Sequence, residues 1–287
     1  MAHIPVASEP VRENPQSATI PKGNRKRFGL ALSGGAARGA AHAGVLRVLS
    51  EEGLKPDVIA GTSSGAVVAA FYAAGIPLRT QLEFAQKLRW RSLRMLGFPK
   101  MGFFQAGEME RYLKEVFGDK RFEDLPVPLA VMATEFRTAR CVVFREGPIA
   151  RALSASAAIP IVFSPVIDGK RVLVDGGLTD NLPSQACRVM GADVVLAVNV
   201  LPEFSRERNY KSLFDVAMGT FDLLALPSTD QGSRAADLTV IPRVERYNPS
   251  DMSRAEELMV RGMAAMRHSL PALTKLLELP KQKEKGR

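Results

Sequence analysis

One short segment of the chain combines residue types that suit nucleophilic attack on an ester carbonyl. In Gly61-Thr62-Ser63-Ser64-Gly65, a serine is flanked by glycines at both second neighbours, directly after the apolar residues 58–60. A Gly-x-Ser-x-Gly turn between a strand and a helix lifts the serine hydroxyl out of the sheet edge, and its glycines relieve backbone crowding. Ser63 is therefore the candidate nucleophile, with Gly61 and Gly65 forming its elbow. A serine that only caps the following helix is the simpler alternative, and Ser64 lacks the two flanking glycines.

A serine hydroxyl needs a base to accept its proton, and Asp175 is the first candidate for that base. Asp175-Gly176-Gly177 follows the apolar residues 172–174, which places a carboxylate at the end of a predicted strand. A carboxylate in water has a pKa of about 4 and is a poor base, but burial beside an apolar acyl chain raises that pKa. The alternative is that Asp-Gly here only forms a turn.

Histidine, the usual base, is scarce in this chain. His42 lies just after the first glycine-rich turn, where packing or hydrogen bonding is the simpler interpretation. His268 lies in a C-terminal amphipathic segment, and we expect it at a surface or an interface. His268 is also the only histidine after Asp175, so a Ser-Asp-His triad would have to use it. The third histidine is His3.

A glycine-rich turn precedes the serine segment. The apolar residues 28–32 lead to Ser33, and Gly34-Gly35-Ala36-Ala37-Arg38-Gly39 follows. Glycines there expose backbone N–H groups, and the start of a helix adds its positive dipole end. The spacing matches neither a dinucleotide-binding turn nor a P-loop, so the segment predicts an oxyanion hole. Arg38 would either hold the turn or meet a lipid phosphate. The predicted oxyanion-hole residues are Gly34, Gly35, Ala36, Arg38 and Gly39.

Apolar stretches alternate with helical patterns along most of the chain, which predicts an α/β fold with a mainly parallel central sheet and helices on both faces. In such a sheet the carboxyl ends of the strands form one edge, where binding sites lie. We therefore expect the turns after Ser33, Ser63 and Asp175 to meet there. The predicted strands are 28–33, the stretch leading to residue 62, and 129–134, 141–144, 171–174, 192–200 and 236–241.

The organisation along the 287 residues predicts one domain between two tails. Residues 1–25 are polar and rich in Pro, Ser and Asn, which is typical of a disordered lead-in. Residues 26–279 would form the domain, with a helical insertion at 203–232, and residues 280–287 a basic tail. The N-terminus lacks the pattern of a secretory signal, and no run of eighteen apolar residues occurs. These features predict a cytoplasmic protein, with peripheral contact at the inner face of the membrane.

The chain is basic, with a formal net charge of +9. Basic surfaces attract anionic partners, and no nucleic-acid-binding signature accompanies the charge, so nucleic acid is not an expected partner. Residues 90–104 mix basic and bulky apolar side chains, which indicates either a lid that contacts an anionic membrane or a buried helix with charged faces. The alternative is that the basic clusters are only solvated surface and tails. The basic clusters fall within 22–27, 87–100 and 281–287.

The two cysteines, Cys141 and Cys187, are far apart in the sequence and match no metal-binding or redox spacing. We expect both to be buried thiols. No cofactor and no metal ion is expected.

Taken together, four segments resemble the patatin-like phospholipase family. The glycine-rich turn at 34–39 resembles its oxyanion block, 61–65 its Gly-x-Ser-x-Gly block and 175–177 its Asp-Gly-Gly block. Residues 152–160, small residues ending in a proline, resemble a fourth block. The order and the spacing agree over about residues 28–200.

The resemblance implies a three-layer α/β/α patatin-like fold and a Ser63–Asp175 dyad that hydrolyses lipid acyl esters through an acyl-enzyme. Gly176 and Gly177 would form the turn that carries the base. The implied partner is a lipid or another acyl ester, and the oligomeric state stays open. Two alternatives remain: a triad esterase that uses His268, and a non-catalytic lipid-binding regulator.

Overall fold

A central sheet organises the part of the chain that the computed structural model describes, which comprises residues 25–77, 80, 81, 83, 84, 106–201, 213–249 and 251–278. The predicted lead-in up to residue 24, the predicted lid at 90–104 and the basic tail lie outside these residues. The strands are β1 Phe28–Leu32, β2 Val58–Thr62, β3 Leu129–Glu135, β4 Arg140–Phe144, β5 Val166–Asp168, β6 Arg171–Asp175, β7 Val194–Val198 and β8 Leu238–Val240.

The strands run in the spatial order β5-β6-β3-β2-β1-β7-β8, and β4 pairs with β3. The pairs β1–β2, β1–β7, β2–β3 and β7–β8 are parallel, and the three pairs at the β5 side of the sheet are antiparallel. The mainly parallel sheet predicted from the sequence is therefore confirmed.

Seven α-helices whose bounds the structure describes surround this sheet. Two short 3₁₀ helices follow strands of the sheet: three residues separate Ala36–Gly39 from β1, and Gly176–Leu178 follows β6 directly. The α-helices are α1 Ala40–Glu51, α2 Ser64–Ala73, α3 Ala106–Phe117, α4 Ile149–Ser156, α5 Ser184–Val189, α6 Leu213–Ala235 and α7 Ala255–Leu276.

The two faces of the sheet are buried by different helices, because successive side chains of a strand point to opposite faces. Leu30 and Leu32 of β1 pack into the large apolar core beneath α1, α2, α3, α4 and α7. Ala31, between them, packs on the other face with Cys187 of α5. Helices thus cover both faces, and the three-layer α/β/α architecture is confirmed.

Helix α7 packs along α1 through two glycines. A Cβ added at Gly44 of α1 would lie 1.9 Å from the carbonyl oxygen of Met259, and one added at Gly262 of α7 would lie 1.9 Å from that of Ala41. The apolar stripe of α7 contributes the buried Leu258, Met266 and Leu273 to the core. The C-terminal stripe is therefore a packing surface.

Strand β3 brings the ends of two other strands together. Strand β2 pairs with residues 129–132 of β3, and β6 pairs with residues 133–135. Strand β4 pairs with residues 131–135, which overlap both of these ranges, so β4 occupies the opposite edge of β3. Strands β2 and β6 therefore share one edge of β3 and approach it from opposite directions. Thr62 lies opposite Met132 and Asp175 lies opposite the next residue, Ala133. The turns that carry Ser63 and Asp175 therefore meet as expected. They meet because β6 runs antiparallel to β3, whereas the sequence pattern predicts a parallel strand.

The expectation for the cysteines is half wrong. Cys187 is buried in α5, but Cys141 is exposed on β4, because that strand has most of its side chains outside the core. In the described residues no group of three or more His, Cys, Asp or Glu side chains is placed to hold a metal ion. None of the helices in the described ranges combines the length and apolar character needed to cross a bilayer.

Candidate active site

Ser63 occupies the sharp turn between β2 and α2. Its φ and ψ are 52° and −124°, a conformation rarely adopted by a residue with a side chain, and such strain costs on the order of 1–3 kcal/mol. Glycine is required at both flanking positions, because neighbouring backbone atoms leave no room for a Cβ. A Cβ added at Gly65 would lie 2.4 Å from the carbonyl oxygen of Leu32, and one at Gly61 would lie 2.7 Å from the backbone of Ala66. The turn therefore presents Ser63 at the carboxyl end of β2, beside the end of β1.

Two neighbouring segments hold this turn in place. The Ser63 amide donates to Ser156 Oγ at 2.8 Å, and the Thr62 hydroxyl donates to the Asp180 carbonyl at 2.7 Å. Ser156 is buried at the end of α4, in the small-residue segment whose individual roles the sequence left unassigned. Its position in that segment, 93 residues from Ser63, gives no local signal of the contact.

Asp175 ends β6 as a fully buried carboxylate. Its Oδ1 accepts the Gly177 amide at 2.8 Å, and its main chain is fixed on both sides. The Asp175 amide donates to the Ala158 carbonyl at 2.9 Å, and the Thr134 hydroxyl donates to the Asp175 carbonyl at 2.9 Å. Asp175 Oδ2 accepts no hydrogen bond from the described residues. One oxygen is thus held in place while the other is free to take a proton.

Burial raises the pKa of Asp175 from the ordinary value of 3.8 to about 7. The Ser63 side chain and the Gly177 amide act in the opposite direction and stabilise the charged form. The Ser63 hydroxyl therefore neighbours the carboxylate, although no hydrogen bond of standard geometry reaches Oδ2. In unliganded sites such bonds are often long and tighten when substrate binds.

The glycine-rich turn lies directly against the serine. A Cβ added at Gly34 would be 3.3 Å from the Ser63 Cβ, and one added at Gly39 would be 2.4 Å from Ser64 Oγ. These two glycines let the turn approach the elbow closely. Ala36 has a φ of 52°, so this turn is strained like the one at Ser63.

Only part of the turn offers free amides. The Gly34 amide donates to the Asn181 carbonyl at 3.1 Å, which removes it from the predicted donors. The Ala37 amide likewise donates to the Pro249 carbonyl at 2.9 Å. The amides of Gly35 and Ala36 have no acceptor in the described part of the chain. The donors available to an anion are therefore those of Gly35 and Ala36.

Arg38 is buried beneath this turn and holds it. Its Nε donates to the Gly35 carbonyl at 3.1 Å, and its Nη2 lies 2.9 and 2.8 Å from the two carboxylate oxygens of Asp222 in α6. The side chains of Arg38 and Asp222 are 0% and 3% exposed. Of the two roles considered for Arg38, the structure places it in the first, because a fully buried guanidinium does not face a lipid phosphate.

Helix α6 also holds the turn that carries Asp175. Asn181, buried, donates through Nδ2 to Thr229 Oγ1 at 2.8 Å and through its amide to Ser228 Oγ at 3.1 Å. The Ser228 hydroxyl in turn lies 3.2 Å from the Gly177 carbonyl. The segment predicted to be a helical insertion thus contacts both the glycine-rich turn and the turn after β6.

Neither histidine in the described residues is placed to serve Ser63 as a base. His42 is buried, its Nε2 lies 2.8 Å from the Ser33 carbonyl, and burial lowers its pKa to about 4. His268 is exposed on α7. Its neighbour Arg267 pairs with Glu51, the last residue of α1, and α1 begins at the glycine-rich turn about 18 Å away along its axis. His268 therefore lies toward the end of α1 remote from Ser63 and Asp175.

The comparisons with known proteins agree with this architecture. The family model described as Patatin-like phospholipase matches residues 30–187, which contain the glycine-rich turn, the serine elbow and Asp175. The match covers more than half of the chain. The chain belongs to the patatin-like phospholipase family.

Similar proteins occur in bacteria and fungi. "Uncharacterized NTE family protein Rv1063c" of Mycobacterium tuberculosis is 36% identical over 190 residues, which are 65% of this chain and 52% of that protein. "Lysophospholipase nte1" of Emericella nidulans is 32% identical over 181 residues, which are 61% of this chain and 12% of that protein. The chain thus spans about half the length of the mycobacterial relative and a small part of the fungal one.

Among solved structures, VipD from Legionella pneumophila has a similar fold. It superimposes with a TM-score of 0.51 at 13% sequence identity, over 86% of this chain and 67% of that one. At this identity the likeness concerns the fold alone.

Proposed function

We propose that this protein is a serine lipid acyl-ester hydrolase in which Ser63 is the nucleophile and Asp175 the base. The observation that carries the proposal is the convergence of the two side chains at the junction of β2 and β6. Ser63 lies in a strained elbow, and the buried Asp175 has a pKa raised to about 7. A carboxylate with such a pKa is suited to accept a proton near neutral pH.

In the first half-reaction the Ser63 Oγ attacks the ester carbonyl carbon while Asp175 Oδ2 takes the hydroxyl proton. The carbonyl oxygen becomes an oxyanion and receives hydrogen bonds from the amides of Gly35 and Ala36. When the tetrahedral intermediate collapses, Asp175 returns the proton to the departing alcohol. The acyl group remains as an ester on Ser63.

In the second half-reaction water attacks this acyl-enzyme. Asp175 takes a proton from the water, the same amides hold the second oxyanion, and the proton passes to Ser63 Oγ as the fatty acid leaves. The reaction needs no metal ion or cofactor in this scheme, because the carboxylate and the two amides supply the proton transfer and the charge stabilisation.

The family and the apolar side chains next to the site support a lipid as the substrate. The relative from Emericella nidulans is named a lysophospholipase. In this chain the apolar cluster of Ile159, Val162 and Met218 packs beside Ala36 of the glycine-rich turn and Phe221. The half-buried side chains of Ala36 and Phe221 thus put apolar groups next to the oxyanion hole. Such groups suit the acyl chain of a phospholipid, a lysophospholipid or a neutral lipid.

The test is hydrolysis of a short p-nitrophenyl acyl ester and of a phospholipid and lysophospholipid panel by wild type, Ser63→Ala and Asp175→Asn. We expect both variants to keep the wild-type circular dichroism spectrum and to lose turnover by at least about 1,000-fold. Labelling of wild type, but not of Ser63→Ala, by a fluorophosphonate identifies the nucleophile independently of the substrate.

Two results would overturn this assignment. A folded Asp175→Asn variant with wild-type turnover would remove Asp175 from the reaction. A wild-type protein that neither turns over any ester nor reacts with the fluorophosphonate, yet binds lipid, would instead be a non-catalytic lipid-binding regulator.

A further inference from the structure

Asp222 of α6 is a buried carboxylate whose two oxygens bind one guanidinium. Arg38 Nη2 lies 2.9 Å from Oδ1 and 2.8 Å from Oδ2, and both side chains are within 3% of complete burial. Removing two charges from water is costly even when they pair, so a buried ion pair is weak evidence for a role in stability alone. What the pair is bonded to is more informative.

The guanidinium of Arg38 is also bonded to the glycine-rich turn. It is planar and rigid, so the bonds from Nη2 to Asp222 fix the direction of Nε, which donates to the Gly35 carbonyl at 3.1 Å. That carbonyl and the Ala36 N–H belong to the same peptide unit. Because the unit is planar and trans, holding its C=O on one side aims its N–H to the other.

The Ala36 N–H is one of the two amides of the turn that have no acceptor in the described residues. Ala36 itself has the strained φ of 52°. A strained peptide persists only where the surrounding structure holds it, and the Arg38 contact to Gly35 supplies such a restraint.

We propose that Asp222 is a positioning residue for the oxyanion hole. It orients Arg38, which fixes the Gly35–Ala36 peptide so that the Ala36 N–H points at the carbonyl oxygen of the ester as that oxygen becomes negative. The inference rests on the proposed hydrolase function and adds to it a residue that lies outside the four sequence blocks.

An interaction formed with the oxyanion acts in the transition state and not on the bound ester, so its loss lowers kcat and leaves KM nearly unchanged. Removing one oxyanion donor costs about 100- to 1,000-fold in kcat in serine hydrolases. We expect Asp222→Asn to lower kcat by about 10- to 100-fold, since the guanidinium stays but loses its charged partner.

Asp222→Asn leaves a buried cation and can unfold the protein, so a second variant is needed. Arg38→Met combined with Asp222→Val replaces the ion pair by apolar side chains of nearly the same combined volume, a change that is often neutral for stability. This double variant should melt near the wild-type temperature and still lose about 100-fold in kcat. Asp230→Asn is the matched control, because Asp230 is an exposed carboxylate of the same helix that pairs with Arg234.

The decisive readout is inhibition by an alkyl trifluoromethyl ketone. Ser63 Oγ adds to the ketone carbon, its proton passes to Asp175, and the ketone oxygen becomes an oxyanion in the hole. Across wild type, Asp222→Asn, the double variant and Asp230→Asn, the rise in the inhibition constant should match the fall in kcat. Asp230→Asn should equal wild type in both.

A folded double variant with wild-type kcat and wild-type ketone affinity would overturn the role of Asp222. The hydrolase function would still stand in that case, provided that the activity of wild type depends on Ser63. A defect confined to KM would overturn it as well. A wild-type protein no more active than Ser63→Ala would overturn the hydrolase function, and the inference would fall with it.

Discussion

Two opposed effects set the pKa of the Asp175 carboxyl group. Complete burial favours its neutral form, while the Gly177 amide and the Ser63 side chain favour the charged form. Burial has the larger effect, so the pKa rises to about 7. A base of this pKa is largely ionised just above neutral pH and still binds a proton strongly enough to remove one from a hydroxyl as attack proceeds.

The pH dependence of the reaction should report this group. Below about pH 7 Asp175 is protonated in the free protein and cannot accept the Ser63 proton, so kcat/KM should rise with pH and level off above an inflection near 7. Kinetics of a soluble ester between about pH 5 and 9 measure the inflection.

Asp180 provides the matched control for this profile, because burial raises its pKa to about 7 as well. The Asp180→Asn variant should keep both the activity and the inflection. If the inflection disappears in Asp180→Asn, the titrating group is Asp180 and not Asp175.

The same pKa makes Asp175 a source of instability. Its pKa is higher in the folded protein, about 7, than the ordinary value of 3.8. The folded state therefore binds the proton more tightly, and the stability contributed by protonated Asp175 is complete below about pH 4 and is lost as the pH rises through 7. The loss is up to about 4 kcal/mol at 1.36 kcal/mol per pKa unit.

Replacing Asp175 with the uncharged Asn should therefore raise the free energy of unfolding at pH 8 by about 2–4 kcal/mol. The same substitution should abolish turnover. Urea unfolding of both proteins at pH 8 and pH 5 tests this, and the difference should shrink at the lower pH. A variant less stable than wild type at pH 8 would contradict the burial argument.

His268 gives the third prediction at this scale. Its exposed position on α7, beside the end of α1 remote from the glycine-rich turn, leaves it outside the reaction. His268→Ala should keep kcat/KM within about two-fold of wild type, as expected for an exposed residue away from the site. A loss of 100-fold or more in a folded variant would restore the triad that includes His268.

At the scale of strands and helices, the sequence predicts the meeting of Ser63 and Asp175 correctly but for an incomplete reason. Short apolar runs, each followed by a turn signal, locate seven of the eight strands. These strands are β1, β2, β3, β4, β6, β7 and β8. The pattern carries no information on the direction in which β6 enters the sheet. That direction depends on the β5–β6 hairpin, and β5, only three residues long, has no recognisable pattern.

The sequence also misses the contacts that complete the site. Ser156, Asn181 and Asp222 are single polar residues whose partners are 93, 147 and 184 positions away. No local pattern signals such pairs. A polar residue on the buried side of a helix, such as Asp222 in α6, is the one available hint, since buried carboxylates are rare unless paired.

The contact between α1 and α7 gives a prediction about an element far from the chemistry. Gly262→Ala places a methyl group where the Ala41 carbonyl oxygen lies, and the two helices must separate to admit it. Overpacking of this kind costs about 1–3 kcal/mol in the free energy of unfolding, which urea unfolding measures.

Gly107→Ala is the matched control for Gly262→Ala. Gly107 also lies in a helix, α3, but nothing lies within 4 Å of an added Cβ. This variant should be neutral or more stable by up to about 1 kcal/mol, because alanine favours the helix. Equal effects of the two substitutions would mean that helix propensity, and not the close contact of α1 with α7, decides both.

For the whole molecule, the excess of positive charge suits a reaction at a lipid surface. The net charge is +9, and the basic clusters lie in 22–27, 87–100 and 281–287. The second of these clusters overlaps the segment of mixed basic and apolar residues at 90–104. Electrostatic attraction to anionic lipids and insertion of apolar side chains act together at an interface. The sequence therefore predicts binding that depends on both lipid charge and salt.

We expect the full chain to cosediment with vesicles that contain anionic phospholipid and to bind purely zwitterionic vesicles weakly. Raising the salt from about 0.1 M to about 0.5 M should release most of the bound protein, because the Debye length then falls from about 10 Å to less than half of that value.

Phe98→Asp combined with Phe103→Asp should weaken the binding further by removing apolar contacts and adding negative charge. Ser63→Ala, which changes neither charge nor apolar surface at 90–104, should bind as wild type. If the Phe98 and Phe103 variant binds anionic vesicles like wild type at both salt concentrations, residues 90–104 do not contact the membrane, and the attraction comes from the basic clusters alone.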